Sequence, residues 1–200
     1  MEKIVFLPVD IDINLSEFNR TNTEKKVLLN AYQPFWDTVS LDSVSLSENK
    51  IRRISDQLPY SKISFVLHKF QTREVRPHFD VYLNSKFIEK DELDNIQENE
   101  PCGYRLVLKG STDALEVFDG EKWICPTLPS VPCCYLIDST RLKHRVKNDP
   151  GRELLYFRGI IDKTKHLKLV EKSMKKYGDM AVYLKKEVSS SIDNIGMYIR

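Results

Sequence analysis

A histidine, a carboxylate and a second histidine stand in this chain in an order that can hold a metal. In Pro77-His78-Phe79-Asp80-Val81-Tyr82 the imidazole and the carboxylate are two positions apart. On a β-strand that spacing puts both on one side while Phe79 points to the other. His144, in His144-Arg145-Val146-Lys147, supplies a further imidazole if its strand is brought alongside. Two imidazoles and a carboxylate on one facial edge bind Fe(II) and leave positions open for substrate and dioxygen. The competing reading of H-x-D alone is a solvated strand end, so the residues that follow decide its weight. Asn148-Asp149-Pro150-Gly151 is a turn that folds Arg152 back beside His144. A guanidinium in a partly desolvated pocket is suited to gripping a carboxylate through parallel hydrogen bonds. Pro77 restricts the backbone just ahead of His78, which suits a fixed ligand.

Strands must position these groups. Ser61 to Phe70 alternates Ile63, Phe65, Leu67 and Lys69 against Ser64, Val66, His68 and Phe70, a strand with one apolar face. His68 reads there as a satisfied strand histidine or a neighbour of the site rather than a ligand. Tyr104 to Lys109 reads as a strand closed by Gly110-Ser111, and Leu115 to Phe118, Asp119-Gly120 and Glu121 to Ile124 as a hairpin with a primed turn. Pro126, Pro129 and Pro132 postpone regular structure until Cys133 to Ile137, and Arg152 to Ile161 is the longest strand-like run. The core is therefore expected to be antiparallel and strand-rich.

The flanks carry less pattern. Ile4 to Val9 reads as a strand interrupted by Pro8, an edge or an arm. Thr23 to Tyr32 fits a short helix ended by Pro34, followed by Phe35-Trp36 as core packing. Val39 to Leu46 is a strand or an irregular segment, and Glu48 to Asp56 a short helix ending before Pro59. Asp91 to Gln97, with Glu98 to Pro101, is polar loop or short helix. Thr164 to Tyr177 spaces Leu167, Val170 and Met174 as one helical face among lysines, with Gly178 as its stop. The simplest place for that helix is the outside of the β core; a nucleic-acid or partner face is the sharper alternative. Met180 to Leu184 is a further strand or a helical continuation.

At 200 residues, with 41% hydrophobic and 30% charged residues and a formal charge of +2, the chain is expected to form a single domain. Its core spans about 63–161, with 1–62 and 162–200 packed on it. That charge gives no general footprint for nucleic acid or anionic membrane. The apolar start meets Asp10 and Asp12 too soon for a secretory signal or a membrane span, so a cytoplasmic location is expected. Cys102, Cys125, Cys133 and Cys134 contain no CxxC pair and read as free thiols, with Cys133 and Cys134 facing opposite ways on a strand.

The ordered set, P-H-F-D-V-Y at Pro77 to Tyr82 and H-R-V-K-N-D-P-G-R-E-L at His144 to Leu154, resembles the iron(II)- and 2-oxoglutarate-dependent oxygenases, in particular their aspartyl/asparaginyl β-hydroxylase-like branch. The resemblance covers roughly Ile63 to Ile161. It implies a mainly β fold with packed helices, a double-stranded β-helix (jelly roll, cupin-like). It also implies that His78, Asp80 and His144 bind Fe(II), that Arg152 binds the distal carboxylate of 2-oxoglutarate, and that Arg105 helps to place co-substrate or substrate. A solvated strand arginine is the competing reading of Arg105. Arg145 alternates away from His144 and is assigned to a supporting or surface role. Tyr104 and Trp123 can line the pocket or pack in the core. The expected activity is dioxygen-dependent hydroxylation of an unactivated C–H bond in a small molecule, an amino-acid derivative or a peptidyl side chain. The alternatives are a nucleobase-modifying oxygenase of the same kind and a non-catalytic β-barrel binding or structural protein.

Overall fold

The computed structural model describes residues 3–13, 36–41, 51–79, 103–139 and 142–185. The helix expected over 23–32, the polar segment over 91–101, Cys102 and Asp80 lie outside them. The described chain is mainly β, in two antiparallel sheets. The larger contains β1 (Lys3–Val9), β2 (Trp36–Leu41), β3 (Tyr60–Gln71), β5 (Gly103–Lys109), β8 (Cys133–Ile137), β10 (Glu153–Ile161) and β11 (Val182–Leu184). Their order is β11-β1-β8-β5-β10-β3-β2. The smaller contains β4 (Val75–His78), β6 (Leu115–Phe118), β7 (Trp123–Ile124) and β9 (His144–Val146), in the order β4-β9-β6-β7.

Alternation along the strands gives the large sheet two different faces. Leu7, Val9, Val66, Tyr104, Leu106, Cys134, Leu136, Leu155 and Phe157 point to one face, where Ile54 of helix α1 (Ile51–Ser55), Leu58 and Leu169 of helix α2 (Lys163–Tyr177) complete a buried cluster. The opposite face contributes Val107, Cys133, Tyr135 and Ile137 to a second cluster with Val75, Leu115, Val117 and Val146 of the small sheet. The two sheets thus share a core, with the helices outside it. Cys133 and Cys134 do fall on opposite faces, and Cys125, Cys133 and Cys134 are free thiols.

Helix α2 is outside the β core, and its inward face holds Val170 and Met174 as expected but not Leu167. Leu167 is 67% exposed, while Leu169 and Ser173 are buried and Val170, Met174 and Tyr177 pack beside them. The true stripe runs through His166, Leu169, Val170, Ser173, Met174 and Tyr177, and two of its members are polar. Each has a partner. Ser173 Oγ accepts from the Asp10 backbone N–H at 3.0 Å and donates to the Leu169 carbonyl at 2.7 Å. His166 Nδ1 meets the Tyr104 hydroxyl at 2.8 Å, and burial lowers the imidazole's pKa. Lys172 and Lys176 grip Asp10, with Nζ to carboxylate distances of 3.1 Å and 2.6 Å. The hydrogen bond from Lys176 leads the effects that hold the Asp10 carboxyl below its ordinary value. Part of the lysine-rich surface therefore ties the helix to the end of β1.

Other segments differ from expectation for identifiable reasons. The longest strand among the described residues is β3, with 12 residues, and not β10, with 9. β1 lies inside the sheet rather than at its edge; Pro8 is tolerated because β11 pairs only as far as Phe6, so among the described residues no strand on that side needs the missing N–H. The β6–β7 hairpin closes at Phe118↔Trp123, with the Asp119 N–H donating to the Lys122 carbonyl at 3.1 Å, so the turn lies farther along than Asp119-Gly120. Asp119 Oδ1 accepts from the N–H groups of Glu121 and Lys122, and Gly120 alone there has positive φ, at 103°. Strand β2 starts at Trp36 and ends at Leu41, and 42–50 lie outside the described residues. Among the described residues no helix is long and apolar enough to cross a membrane.

Gly159 permits the β10–β3 pairing where its register shifts. A methyl group at that position would overlap the Lys62 carbonyl oxygen and lie 2.7 Å from Ile63 Cα, both backbone atoms of the adjacent strand. Gly159→Ala is therefore expected to destabilise the fold by about 2–3 kcal/mol, as overpacking against a paired strand does. The midpoint of urea unfolding at unchanged slope measures it.

Candidate functional site

Strands β4 and β9 bring the two predicted histidine ligands together. His78 and His144 are direct partners in the antiparallel ladder, and their ring centroids are 4.3 Å apart. This depends on an irregularity in β4. Val75 pairs with Val146, so a regular ladder would not set His78 opposite His144; one additional residue between Val75 and His78 does. An odd separation on a regular strand would also send Val75 and His78 to opposite faces. With the bulge, His78 meets the ring of His144, which shares a face of β9 with buried Val146. Pro77 sits within this irregularity, on an edge strand, where a missing N–H is tolerated.

Backbone carbonyls set the tautomer that each neutral ring adopts. His144 Nδ1 donates to the Leu142 carbonyl at 3.1 Å, and His78 Nδ1 donates to the Arg76 carbonyl at 2.8 Å. A carbonyl oxygen can only accept, so in each neutral ring the proton is on Nδ1 and the lone pair on Nε2. That is the ring orientation and tautomer commonly found in metal-binding histidines. His144 is 2% exposed, whereas His78 is half-buried, so the pair runs from the interior toward the surface. Asp80 lies outside the described residues, and among the described residues no cluster of three His, Cys, Asp or Glu side chains includes the pair.

Arg152 is fully buried, the largest such side chain among the described residues. Its Nη1 donates to the Ser111 carbonyl at 2.7 Å. Its Nε and Nη2 are buried with no hydrogen-bond partner among the described residues. A buried cation with donors left over is expensive, and an anion accepting from the guanidinium would relieve it. A carboxylate fits that requirement in charge and in its forked geometry. The turn that the sequence marks at Asn148 to Gly151 carries the chain from β9 in the small sheet to β10 in the large one. Gln71 fastens the crossing, its backbone N–H donating to the Arg152 carbonyl at 2.9 Å and its Nε2 to the Lys147 carbonyl at 2.6 Å.

Arg105 is also buried, on the face of the large sheet that carries Tyr156. Its guanidinium carbon lies 5.1 Å from the Tyr156 ring centroid, and buried Lys69 places Nζ 4.8 Å from the same centroid. Alternation puts Lys69 on this face with Leu67 but gives it no role, because a lysine on an alternating strand ordinarily marks the solvent side. Leu67, Leu154 and Tyr156 form a small apolar cluster of their own beside these cations. The face toward the small sheet is thus divided between an apolar part and a basic part.

The remaining candidates fall elsewhere. Arg145 points away from the histidines as expected, with Nε donating to Glu116 Oε2 at 2.7 Å and its guanidinium carbon 4.4 Å from the Trp123 ring centroid. Tyr104 packs on the helix-covered face, and Trp123 stacks on the other side of the small sheet with Phe118 and Arg145. Neither lines the space near the histidines. His68 is buried beside Phe70, with Nε2 3.5 Å from Glu153 Oε2. Burial pushes the Cys133 thiol up to about 11, opposed by the nearby Arg152 charge, which keeps it protonated and unreactive at neutral pH.

No protein-family model matches the chain, and comparison with curated proteins finds no match.

Proposed function

We propose that the protein is an Fe(II)- and 2-oxoglutarate-dependent dioxygenase that hydroxylates an unactivated C–H bond of a small molecule, an amino-acid derivative or a peptidyl side chain. The in-register pairing of His78 with His144, both with Nδ1 on a backbone carbonyl, carries this reading. Asp80 would complete the ligand set from the position after next on the same segment. The orphaned donors of Arg152 favour a carboxylate-bearing co-substrate over a metal site alone. Strand order supports the double-stranded β-helix as the finer description of the fold. From β3 to β10 the chain alternates between sheets except at the β6–β7 hairpin, giving β3-β10-β5-β8 on one side and β4-β9-β6-β7 on the other. Eight strands divided between two sheets in this order are what a jelly roll would require.

The residues divide the work by their chemistry. His78 and His144 would offer Nε2 to the metal, with their protons retained on Nδ1. When bound, Fe(II) would supply the coupling of 2-oxoglutarate decarboxylation by dioxygen to oxidation of the target C–H bond. Arg152 holds the far carboxylate and so fixes which end of the keto acid faces the histidines. Arg105 supplies a second buried cation for co-substrate or substrate. Val75, Leu115, Val117 and Val146 form an apolar wall beside His144 that limits water. Helix α2 covers the opposite face of the large sheet, which gives no support to a basic groove leading from its lysines to His78.

The test is incubation of the full chain with Fe(II), 2-oxoglutarate and air, with succinate measured. Slow formation that requires both Fe(II) and the acid is expected even before a substrate is identified. No succinate from folded, iron-loaded protein would contradict the proposal.

A further inference from the structure

We infer that Asp149 is a positioning residue that sets the Arg152 guanidinium through a relay across the Gly110-Ser111 turn. This inference rests on the reading of Arg152 as the carboxylate grip. Asp149 Oδ2 accepts from the Ser111 backbone N–H at 2.7 Å. The Ser111 carbonyl then accepts from Arg152 Nη1 at 2.7 Å. The Asp149 carbonyl accepts from the Arg152 backbone N–H at 3.0 Å, so the same residue holds both ends of the arginine. Gly110 makes the arrangement possible. Its φ of +119° is strained for other residues, and a methyl group there would lie 2.7 Å from Asp149 Oδ2 and 2.9 Å from Arg152 Cγ. Aspartate and arginine side chains therefore close over a position that has none.

Only one guanidinium nitrogen is occupied by this relay. Nε and Nη2, the pair left over, form one edge of the guanidinium plane. An edge with two N–H groups is the one that binds a carboxylate through parallel hydrogen bonds. Asp149 thus anchors the guanidinium by the nitrogen that the acid does not need. Its own negative charge acts against anion binding, so its contribution is orientation, and the two effects have opposite signs.

Two variants and two acids separate these effects. Asp149→Asn keeps an oxygen to accept from Ser111 and removes the charge; Asp149→Ala removes both. Each protein is loaded with Fe(II) without oxygen and titrated with 2-oxoglutarate and with 2-oxobutyrate, which has the same keto-acid end but no far carboxylate. Asp149→Ala is expected to weaken 2-oxoglutarate about tenfold, as loss of an orienting partner does. Asp149→Asn is expected to bind it as tightly as wild type or tighter, and 2-oxobutyrate is expected to bind all three proteins equally. Tighter 2-oxoglutarate binding by both variants would show a purely electrostatic role and overturn the inference. Equal weakening of both acids by Asp149→Ala would show general damage to the site and overturn it too. Failure of wild type to distinguish the two acids would instead overturn the underlying reading of Arg152.

Discussion

Replacing Arg152 with methionine is expected to remove 2-oxoglutarate binding while leaving the ligand-free protein at least as stable as wild type. The two effects share one cause. Arg152 is wholly buried and has donors with no partner among the described residues, a condition that costs about 1–3 kcal/mol for each such group. Methionine is apolar, flexible and fills much of the same length, so it removes that cost and loses only the bond to the Ser111 carbonyl. Binding responds in the other direction. Truncating one partner of a buried charge pair typically costs 2–5 kcal/mol, which is about 30-fold to about 5,000-fold in affinity. Thermal unfolding of the apo protein together with acid titration checks both halves. A variant that is much less stable would make Arg152 a structural residue, and one that binds the acid unchanged would remove it from the site.

The second large effect is expected at the histidines. His144→Ala and His78→Ala should each abolish Fe(II)-dependent succinate formation, because either change would leave a metal held at this pair without one of its imidazoles. His144→Ala also opens a space beside Val146 and the inner core and should cost some stability; His78 is half-buried at a sheet edge, so His78→Ala should fold as well as wild type. His78→Ala is therefore the cleaner variant for activity. Turnover that persists in well-folded His78→Ala protein would place the metal elsewhere.

How much of this was legible in the sequence depended on the range of the signal. Strands β5, β8 and β10 were visible because their alternation is local, and the turn at Asn148 to Gly151 because its residues favour turns individually. The facing of Cys133 and Cys134 followed from the same periodicity. The juxtaposition of His78 and His144 was legible only as a possibility of order and type. What achieves it is the bulge in β4, a two-strand property with no local signature beyond Pro77. Helix α2 shows the converse problem. Its inward face includes His166 and Ser173, polar residues that are buried because Tyr104 and the Asp10 backbone meet them. A rule that assigns faces by apolarity finds Val170 and Met174 but adds exposed Leu167 and leaves out His166 and Ser173. Alternation places Lys69 beside Leu67 without showing that it is buried, and the Asp149 relay has no local signal because it joins two turns that are 38 residues apart in sequence.

Anaerobic titration of the Fe(II)-loaded protein with 2-oxoglutarate tests the central claim most directly. Chelation of the keto acid at a histidine-bound Fe(II) gives a visible charge-transfer absorption. It is expected to appear and saturate in wild type, and to be absent in His78→Ala. A folded, iron-loaded protein that shows no such absorption, or one in which His78→Ala shows it undiminished, would contradict the assignment of His78 and His144 as the iron site.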